Sequence, residues 1–173
     1  VNNTNDAPIM EAIPDAVRDQ DSAFSYQLTA TDIDANVTNE TLTYEAVNKP
    51  DWMSVSASGL ITGTPSNDDV GNHSVTVLVR DSEGATDQKT FSITANNVND
   101  APVFNFSAPS STNEDAGFSY QLTATDIDMD VVDETLTYEA VSKPEWMSVS
   151  SSGLITGLPT NDDVGSHSVT VKV

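Results

Sequence analysis

The 173-residue sequence contains no cysteine, and this absence removes several kinds of site at once. Disulfide bonds, thiolate-bound metals and a cysteine nucleophile are all excluded. No apolar run approaches the length that spans a bilayer and the first residues lack a signal-peptide pattern, so we expect no membrane insertion. Because residues 1–7 resemble the joint between the repeats described below, we interpret the sequence as a piece of a longer array.

Basic residues are scarce, with six Lys and Arg against 27 Asp and Glu, for a net charge of −21. An acidic surface repels nucleic acid and anionic membranes, so nucleic acid is not an expected partner. The carboxylates also repel one another unless they are spread out, protonated or neutralised by bound cations. Aromatic residues make up only 6% of the chain, a composition compatible with disorder, but the strand pattern described below argues against disorder.

What the sequence does contain is a tandem repeat. Residues 1–79 align without a gap with residues 95–173, at an offset of 94 (95 − 1), and 52 of the 79 pairs are identical. Residues 24–34 return unchanged as residues 118–128. The repeat predicts two domains, 1–98 with a preceding joint at 1–7, and 99–173, each large enough for its own core.

Each copy has the pattern of an all-β domain. Apolar and polar residues alternate over 23–31, 41–47 and 75–79, and a last strand through Phe91 and Ile93 should pair with 75–79. The segment 9–19 contains Pro14 and suits an edge strand. About seven short strands without helical periodicity predict an antiparallel β-sandwich in each copy. In the second copy, the corresponding strands should start near Ser119, Thr135, Trp146, Leu154 and Ser168.

The second copy ends at Val173, the counterpart of Val79 (173 − 94), so it lacks equivalents of residues 80–96 and of the last strand. The strand that contains Val169 and Val171 would then have an open edge, which natural proteins avoid. We expect either that the missing strand lies outside this sequence or that a strand from another copy of the protein fills its place.

Paired carboxylates follow a predicted strand in both copies: Asp32 and Asp34 in the first, Asp126 and Asp128 in the second. In extended backbone this spacing points both side chains the same way, so they converge on one cation or repel each other. A general acid–base pair and a solvated acidic turn are the alternatives. We favour a cation site and expect no enzymatic activity, because the sequence offers no nucleophile-and-base constellation.

Further oxygen-rich residues gather at the two ends of each predicted sandwich. If strand 24–30 runs upward, Asp32 and Asp34 lie at the top together with Asn5, Asp6 and Asp81. The bottom carries Asp19, Asp21, Asp68, Asp69 and the joint residues Asn97, Asn99 and Asp100, where the top of the next copy arrives with Asp126 and Asp128. Carboxylate, amide and backbone carbonyl oxygens are the ligands that Ca²⁺ takes. For the joint alone, an ordinary polar turn is the alternative.

Five segments of the first copy carry a family resemblance when they are taken together. They are WMSV at 52–55, GLITGTP at 59–65, DVG at 69–71, DSEG at 81–84 and NVNDAP at 97–102. As a set they resemble the dystroglycan-type cadherin-like repeat of bacterial surface proteins. The paired aspartates and the Asn-Asp-x-Pro joint also resemble true cadherin repeats, although Asn97 and Ala101 depart from the usual cadherin residues.

The resemblance implies two tandem Ig-like, cadherin-like β-sandwiches in a secreted or cell-surface protein. It implies a calcium-binding adhesion or spacer module in which Ca²⁺ at the joint makes the array rigid. The implied partners are calcium, other copies of the protein and other surface proteins. The alternative function is a carbohydrate-binding doublet of a polysaccharide-degrading or surface protein, with polysaccharide as its partner.

Three other features have simple structural interpretations. Trp52 and Trp146 could stack on sugars, but each opens an apolar strand and is typical of a core residue. His73 and His167 have no partners at zinc-ligand spacing, so we interpret them as strand-edge residues. Glycosylation acceptor triplets begin at Asn2, Asn36, Asn39, Asn72 and Asn105, and in an Asn- and Thr-rich chain they occur at chance level.

Overall fold

Short strands make up most of the regular structure, as the alternating pattern predicts. The structure is a computed structural model that describes residues 4–35, 40–105, 107 and 111–173; the acceptor residues Asn2, Asn36 and Asn39 lie outside this part. The chain divides into two compact units, Val1–Val98 and Asn99–Val173, which are called unit 1 and unit 2 below. No helix in the described part of the chain has the length and apolar character needed to cross a membrane.

The strands are numbered in chain order. In unit 1 they are β1 (Ile9–Met10), β2 (Ala16–Asp19), β3 (Phe24–Gln27), β4 (Ala30–Thr31), β5 (Thr43–Asn48), β6 (Met53–Val55), β7 (Leu60–Gly63), β8 (Gly71–Arg80) and β9 (Thr86–Asn96). In unit 2 they are β10 (Val103–Phe104), β11 (Phe118–Gln121), β12 (Ala124–Thr125), β13 (Glu139–Ser142), β14 (Met147–Val149), β15 (Leu154–Gly157) and β16 (Thr170–Lys172). Short 3₁₀ helices span Asn67–Asp69, Ile127–Asp130 and Asn161–Asp163.

Unit 1 is built from a four-stranded sheet in the order β2-β9-β8-β5 and a three-stranded sheet in the order β3-β7-β6. The predicted pairing of the last strand is confirmed, because β8 and β9 form a continuous antiparallel ladder from Gly71↔Ala95 to Arg80↔Thr86. One pairing departs from the antiparallel prediction, since β2 runs parallel to β9. The first segment breaks around Pro14, which cannot donate a backbone hydrogen bond, and changes its partner from β4 to β9.

The core of unit 1 lies between these two sheets. Successive strand residues point to opposite faces, so β8 contributes every second residue, and Val75, Val77 and Val79 are each 0% exposed. Met53 and Ile61 from the three-stranded sheet belong to the same buried cluster and are also fully buried. This arrangement is the β-sandwich that the sequence predicts.

Unit 2 repeats the three-stranded sheet as β11-β15-β14, but its other sheet is smaller. There β13 begins at Glu139 rather than near Thr135, and β16 begins at Thr170 rather than near Ser168. The number of partners explains the short β16: β8 has a strand on each side, whereas in the described part of unit 2 β16 pairs with β13 alone. A strand with one partner has half of its ladder hydrogen bonds, so its ends are held less well.

Candidate metal centre

The loop after β12 brings three carboxylates of unit 2 together. Asp126 has extended backbone (φ −131°, ψ 135°) and caps the 3₁₀ helix Ile127–Asp130 by accepting a hydrogen bond from the Asp128 N–H at 3.0 Å. The N–H groups of Val131 and Val132 both donate to the Asp128 carbonyl at 2.9 Å, which turns the chain back. Carboxylate oxygens of Asp126, Asp128 and Glu134 therefore lie within 4.8 Å of one another.

Asp128 is the most informative member of this trio, because its side chain is 0% exposed. Its Oδ2 accepts a hydrogen bond from the Asp100 N–H at 2.6 Å. Its Oδ1 is buried and accepts no hydrogen bond from the described residues. Burying a carboxylate oxygen without a partner is costly, and such groups are normally paired with a cation or coordinate a metal.

Mutual repulsion adds to this cost. Two like charges 4.8 Å apart, the largest separation within the trio, repel by roughly 3–4 kcal/mol at an effective dielectric constant of about 20. Within the described residues, neither Asp126 nor Asp128 forms an ion pair with a lysine or arginine. A bound divalent cation would relieve both the repulsion and the loss of hydration.

Unit 1 contains the same trio as Asp32, Asp34 and Glu40, again within 4.8 Å of one another. Asp34 is 3% exposed, and its Oδ2 accepts a hydrogen bond from the Asp6 N–H at 2.7 Å. The Asp34 N–H donates to Asp32 Oδ1 at 2.8 Å, while Asp32 Oδ2 is buried and accepts no hydrogen bond from the described residues. The arrangement is thus a feature of the repeat and not of one unit.

Asn5 and Asp81 pair with each other at the predicted top of unit 1, and Asn5 directly precedes Asp6, whose N–H donates to Asp34. The Asn5 side-chain N–H donates to Asp81 Oδ2 at 3.0 Å, which leaves Asn5 Oδ1 buried without a hydrogen bond from the described residues. Asp81 Oδ1 accepts the N–H groups of Glu83, Gly84 and Ala85 at 3.0, 2.6 and 2.8 Å. The hydrogen bond from Asn5, followed by those from the backbone, lowers the pKa of Asp81. Asp81 therefore shapes its own turn and orients Asn5.

In unit 2, Asn99 corresponds to Asn5 and Asp100 to Asp6. The Asp100 N–H donates to Asp128 as the Asp6 N–H donates to Asp34. The Asn99 side chain, however, is exposed and donates to the Asp100 carbonyl at 2.6 Å. The Asn99 side chain is therefore oriented differently from that of Asn5, which donates to Asp81.

The acidic residues predicted at the bottom of unit 1 do lie at its other end, but they form no such trio. Asp19 Oδ1 accepts a hydrogen bond from the side chain of Asn96 at 3.1 Å, and the Asp21 N–H donates to the Pro65 carbonyl at 2.7 Å. Asp69 Oδ2 accepts both the N–H and the hydroxyl of Ser66, at 2.9 and 2.6 Å. Asp68 is exposed and Asn97 is half-buried. These residues belong to unit 1, whereas Asp100, Asp126 and Asp128 belong to unit 2.

Sequence reasoning missed Glu40 and Glu134. A signal was present: each lies six residues after the second aspartate (40 − 34 and 134 − 128), and it is retained although most of the residues between them differ in the two copies. Only the turn of the loop, however, brings the glutamate back to the aspartates.

The two tryptophans pack against the cores as predicted. Trp52 and Trp146 are half-buried, and the ring of each makes an edge-to-face contact with a histidine, His73 at 6.0 Å and His167 at 5.8 Å between centroids. Both histidines hydrogen-bond through Nε2 to a backbone carbonyl, that of Asp69 or Asp163, at 2.6 Å. All Phe, Tyr and Trp residues in the described part of the chain are buried or half-buried.

Comparison with solved structures gives the fold. Human Protocadherin-24 EC1-2 matches with a TM-score of 0.63 at 18% identity, covering 96% of this chain and 86% of that one. Protocadherin gammaB7 EC3-6 matches with a TM-score of 0.58 at 16% identity, over 96% of this chain and 48% of that one. An endo-fucoidan hydrolase of glycoside hydrolase family 107 matches at a TM-score of 0.47 and 21% identity, over 95% of this chain. The chain spans 26% of that hydrolase.

No curated protein sequence matches the chain. A family profile does: the one described as "Putative Ig domain" (He_PIG) matches residues 7–96 and again residues 101–173. These two matches fall on the two units and together cover most of the sequence. The chain therefore belongs to this Ig-domain family and carries two tandem copies of the domain, with a cadherin-like fold.

Proposed function

We propose that the chain is a calcium-binding adhesion or spacer segment of a secreted or cell-surface protein. In this proposal, Ca²⁺ bound next to the joint stiffens the tandem array. The observation that carries it is the buried Asp128 carboxylate, whose Oδ1 has no hydrogen-bond partner among the described residues and which lies in a trio of acids. The more specific family assignment, the dystroglycan-type cadherin-like repeat, is part of the same proposal.

The donor set favours calcium over other metals. The trio and its neighbours offer carboxylate and amide oxygens, and no histidine or cysteine belongs to it, which argues against zinc. Three carboxylates with access to side-chain amides and water suit the flexible six to eight oxygen ligands of Ca²⁺. Extracellular calcium modules bind with dissociation constants of about 10⁻⁴–10⁻³ M, which matches a partly open site in a surface protein.

The fold supports the adhesion and spacer role. Two protocadherin structures match above a TM-score of 0.5, and the alignments cover 95% and 96% of this chain. We propose other copies of the protein and other surface proteins as partners, and no catalytic activity. Polysaccharide binding stays an alternative, and glycan-array binding by the same chain would favour it.

Thermal unfolding tests the calcium proposal. At free Ca²⁺ about 100-fold above the dissociation constant, binding should add about 2.7 kcal/mol to the free energy of unfolding. For a domain of this size that corresponds to a rise in Tm of roughly 10–20 °C. Because the chain carries a net charge of −21, the control is chelator with NaCl at matched ionic strength, which screens repulsion without binding. An equal Tm in calcium and in the salt control would refute the proposal.

A further inference from the structure

The members of each trio lie close together in the chain as well as in space. Asp126, Asp128 and Glu134 fall within nine consecutive residues (134 − 126 + 1), between β12 and β13 of a single unit. Asp32, Asp34 and Glu40 occupy the same positions between β4 and β5. We propose that the three carboxylates of each unit form a self-contained Ca²⁺ site, completed by the glutamate, so that each unit binds an ion with its own residues. This inference rests on the proposed calcium function.

Hydrogen bonds within each unit hold these carboxylates in place. One oxygen of the first aspartate accepts the N–H of the second, at 2.8 Å in unit 1 and 3.0 Å in unit 2. One oxygen of the second aspartate accepts an N–H from the start of the same unit, that of Asp6 at 2.7 Å or of Asp100 at 2.6 Å. Contacts of this kind orient a ligating carboxylate and direct its other oxygen towards the ion.

One aspartate oxygen left over in each unit is buried, and these two oxygens indicate a ligand. Asp128 Oδ1 in unit 2 and Asp32 Oδ2 in unit 1 have no accessible surface and accept no hydrogen bond from the described residues. The glutamate supplies the third carboxylate at a distance that one cation can bridge. Glutamate is a common bidentate ligand of Ca²⁺, because its longer side chain reaches the ion from a neighbouring turn.

Self-contained sites have a consequence that sites shared across the joint do not have. They predict that the 173-residue chain binds two ions, one in each unit. A substitution that abolishes binding in one unit should leave binding in the other unit unchanged. Ligands such as Asp19 or Asp68 of unit 1 would then not be required for the ion in unit 2.

Isothermal titration of the full chain with Ca²⁺ alone tests this. We expect the wild type to bind two ions. Glu134→Gln and Glu40→Gln should each weaken one site about tenfold or more, because affinity follows the number of charged ligands, and the double variant should lose both. Glu145→Gln is the matched control, since Glu145 is an exposed glutamate of unit 2 outside the trio, and it should bind as the wild type does.

A second measurement separates loss of a ligand from loss of folding. In chelator, Glu134→Gln should melt at or above the wild-type temperature because it removes a repelling charge, whereas in calcium it should melt below the wild type. This reversal would not follow from a merely structural role. Wild-type calcium binding with unchanged stoichiometry and affinity in Glu40→Gln and Glu134→Gln would overturn the inference and leave the proposed function intact. A wild type that binds no calcium would overturn both.

Discussion

The contact between Gly63 and Trp52, and its twin between Gly157 and Trp146, gives a sharp prediction about the cores. A Cβ atom added at Gly63 would lie 2.6 Å from the Trp52 carbonyl oxygen and 2.7 Å from Cε3 of its ring. At Gly157 the distances are 2.7 Å to the carbonyl oxygen and 2.6 Å to Cε3 of Trp146. Real Cβ atoms essentially never approach other atoms within 3.0 Å, so alanine at either position must displace its neighbours.

The surroundings leave little room for that displacement. Gly63 pairs with Phe24 on one side and with Met53 on the other, so its backbone is held by two strands. Overpacking of this kind costs about 1–3 kcal/mol, offset by roughly 0.5–1 kcal/mol because alanine suits a strand better than glycine does. We expect a net loss of about 1–2 kcal/mol for the unit that carries the substitution. This corresponds to a decrease in Tm of roughly 5–15 °C.

Hydrogen exchange with peptide resolution is the assay, because it reports each unit separately. Gly63→Ala should speed exchange in unit 1 only, and Gly157→Ala in unit 2 only. Gly117→Ala is the matched control, since a Cβ at Gly117 would meet no atom within 4 Å, and it should leave exchange unchanged or slower. If Gly157→Ala exchanges like Gly117→Ala, the tryptophan ring does not pack as described, and its interpretation as a core residue fails.

Three other predictions concern the joint, acid and the open edge. If calcium stiffens the array, small-angle scattering should give a longer and less flexible particle in millimolar Ca²⁺ than in chelator. The Asp126→Ala variant in Ca²⁺ should scatter as the wild type does in chelator, without unfolding of either unit. Identical profiles in Ca²⁺ and in chelator would contradict this. The hydrogen bond from the Met10 N–H lowers the pKa of Asp87, and the hydrogen bond from the Asn5 side chain lowers the pKa of Asp81. A carboxyl group whose pKa is lowered by folding stabilises the folded state at pH values above its unfolded pKa. The Tm should therefore fall as the pH drops through about 4 and below, and the Tm of Asp87→Asn should fall less steeply than that of the wild type. A peptide with the sequence of β9 should pair with β16 and protect its amides from exchange, and an unchanged exchange rate would argue against an open edge.

The repeat and the strand pattern were readable in the sequence, because both depend on local spacing. Alternation in 75–79 places Val75, Val77 and Val79 on one face whatever they pack against, and the structure buries all three. The break at Pro14 was predictable for a similar reason, since a missing N–H weakens any strand. The shift of the first segment to a parallel partner was not, because it depends on which neighbouring edge is free.

The aspartate pairs were visible in the sequence, but the reason expected for their convergence was wrong for unit 2. Asp128 lies in the 3₁₀ helix Ile127–Asp130, and the cap formed by Asp126, not extended backbone, holds the two residues together. Their environment was not predictable. Sequence alone could not show that Asp128 is fully buried, or that the Asp100 N–H occupies only one of its oxygens. Nor could it show that one oxygen of Asp81 accepts three backbone N–H groups of its own turn while the other accepts a hydrogen bond from Asn5.

The sequence by itself determined the two-domain organisation, the all-β class and the acidic character of the ends, since composition and short-range periodicity carry these properties. Only the tertiary structure decided which carboxylates converge. Asp126 and Asp128 are held together by the cap of a 3₁₀ helix, and Glu134 reaches them because two N–H groups bond to the Asp128 carbonyl and reverse the chain. Proximity across a turn depends on backbone dihedral angles and burial, which residue types constrain only weakly until the whole domain packs.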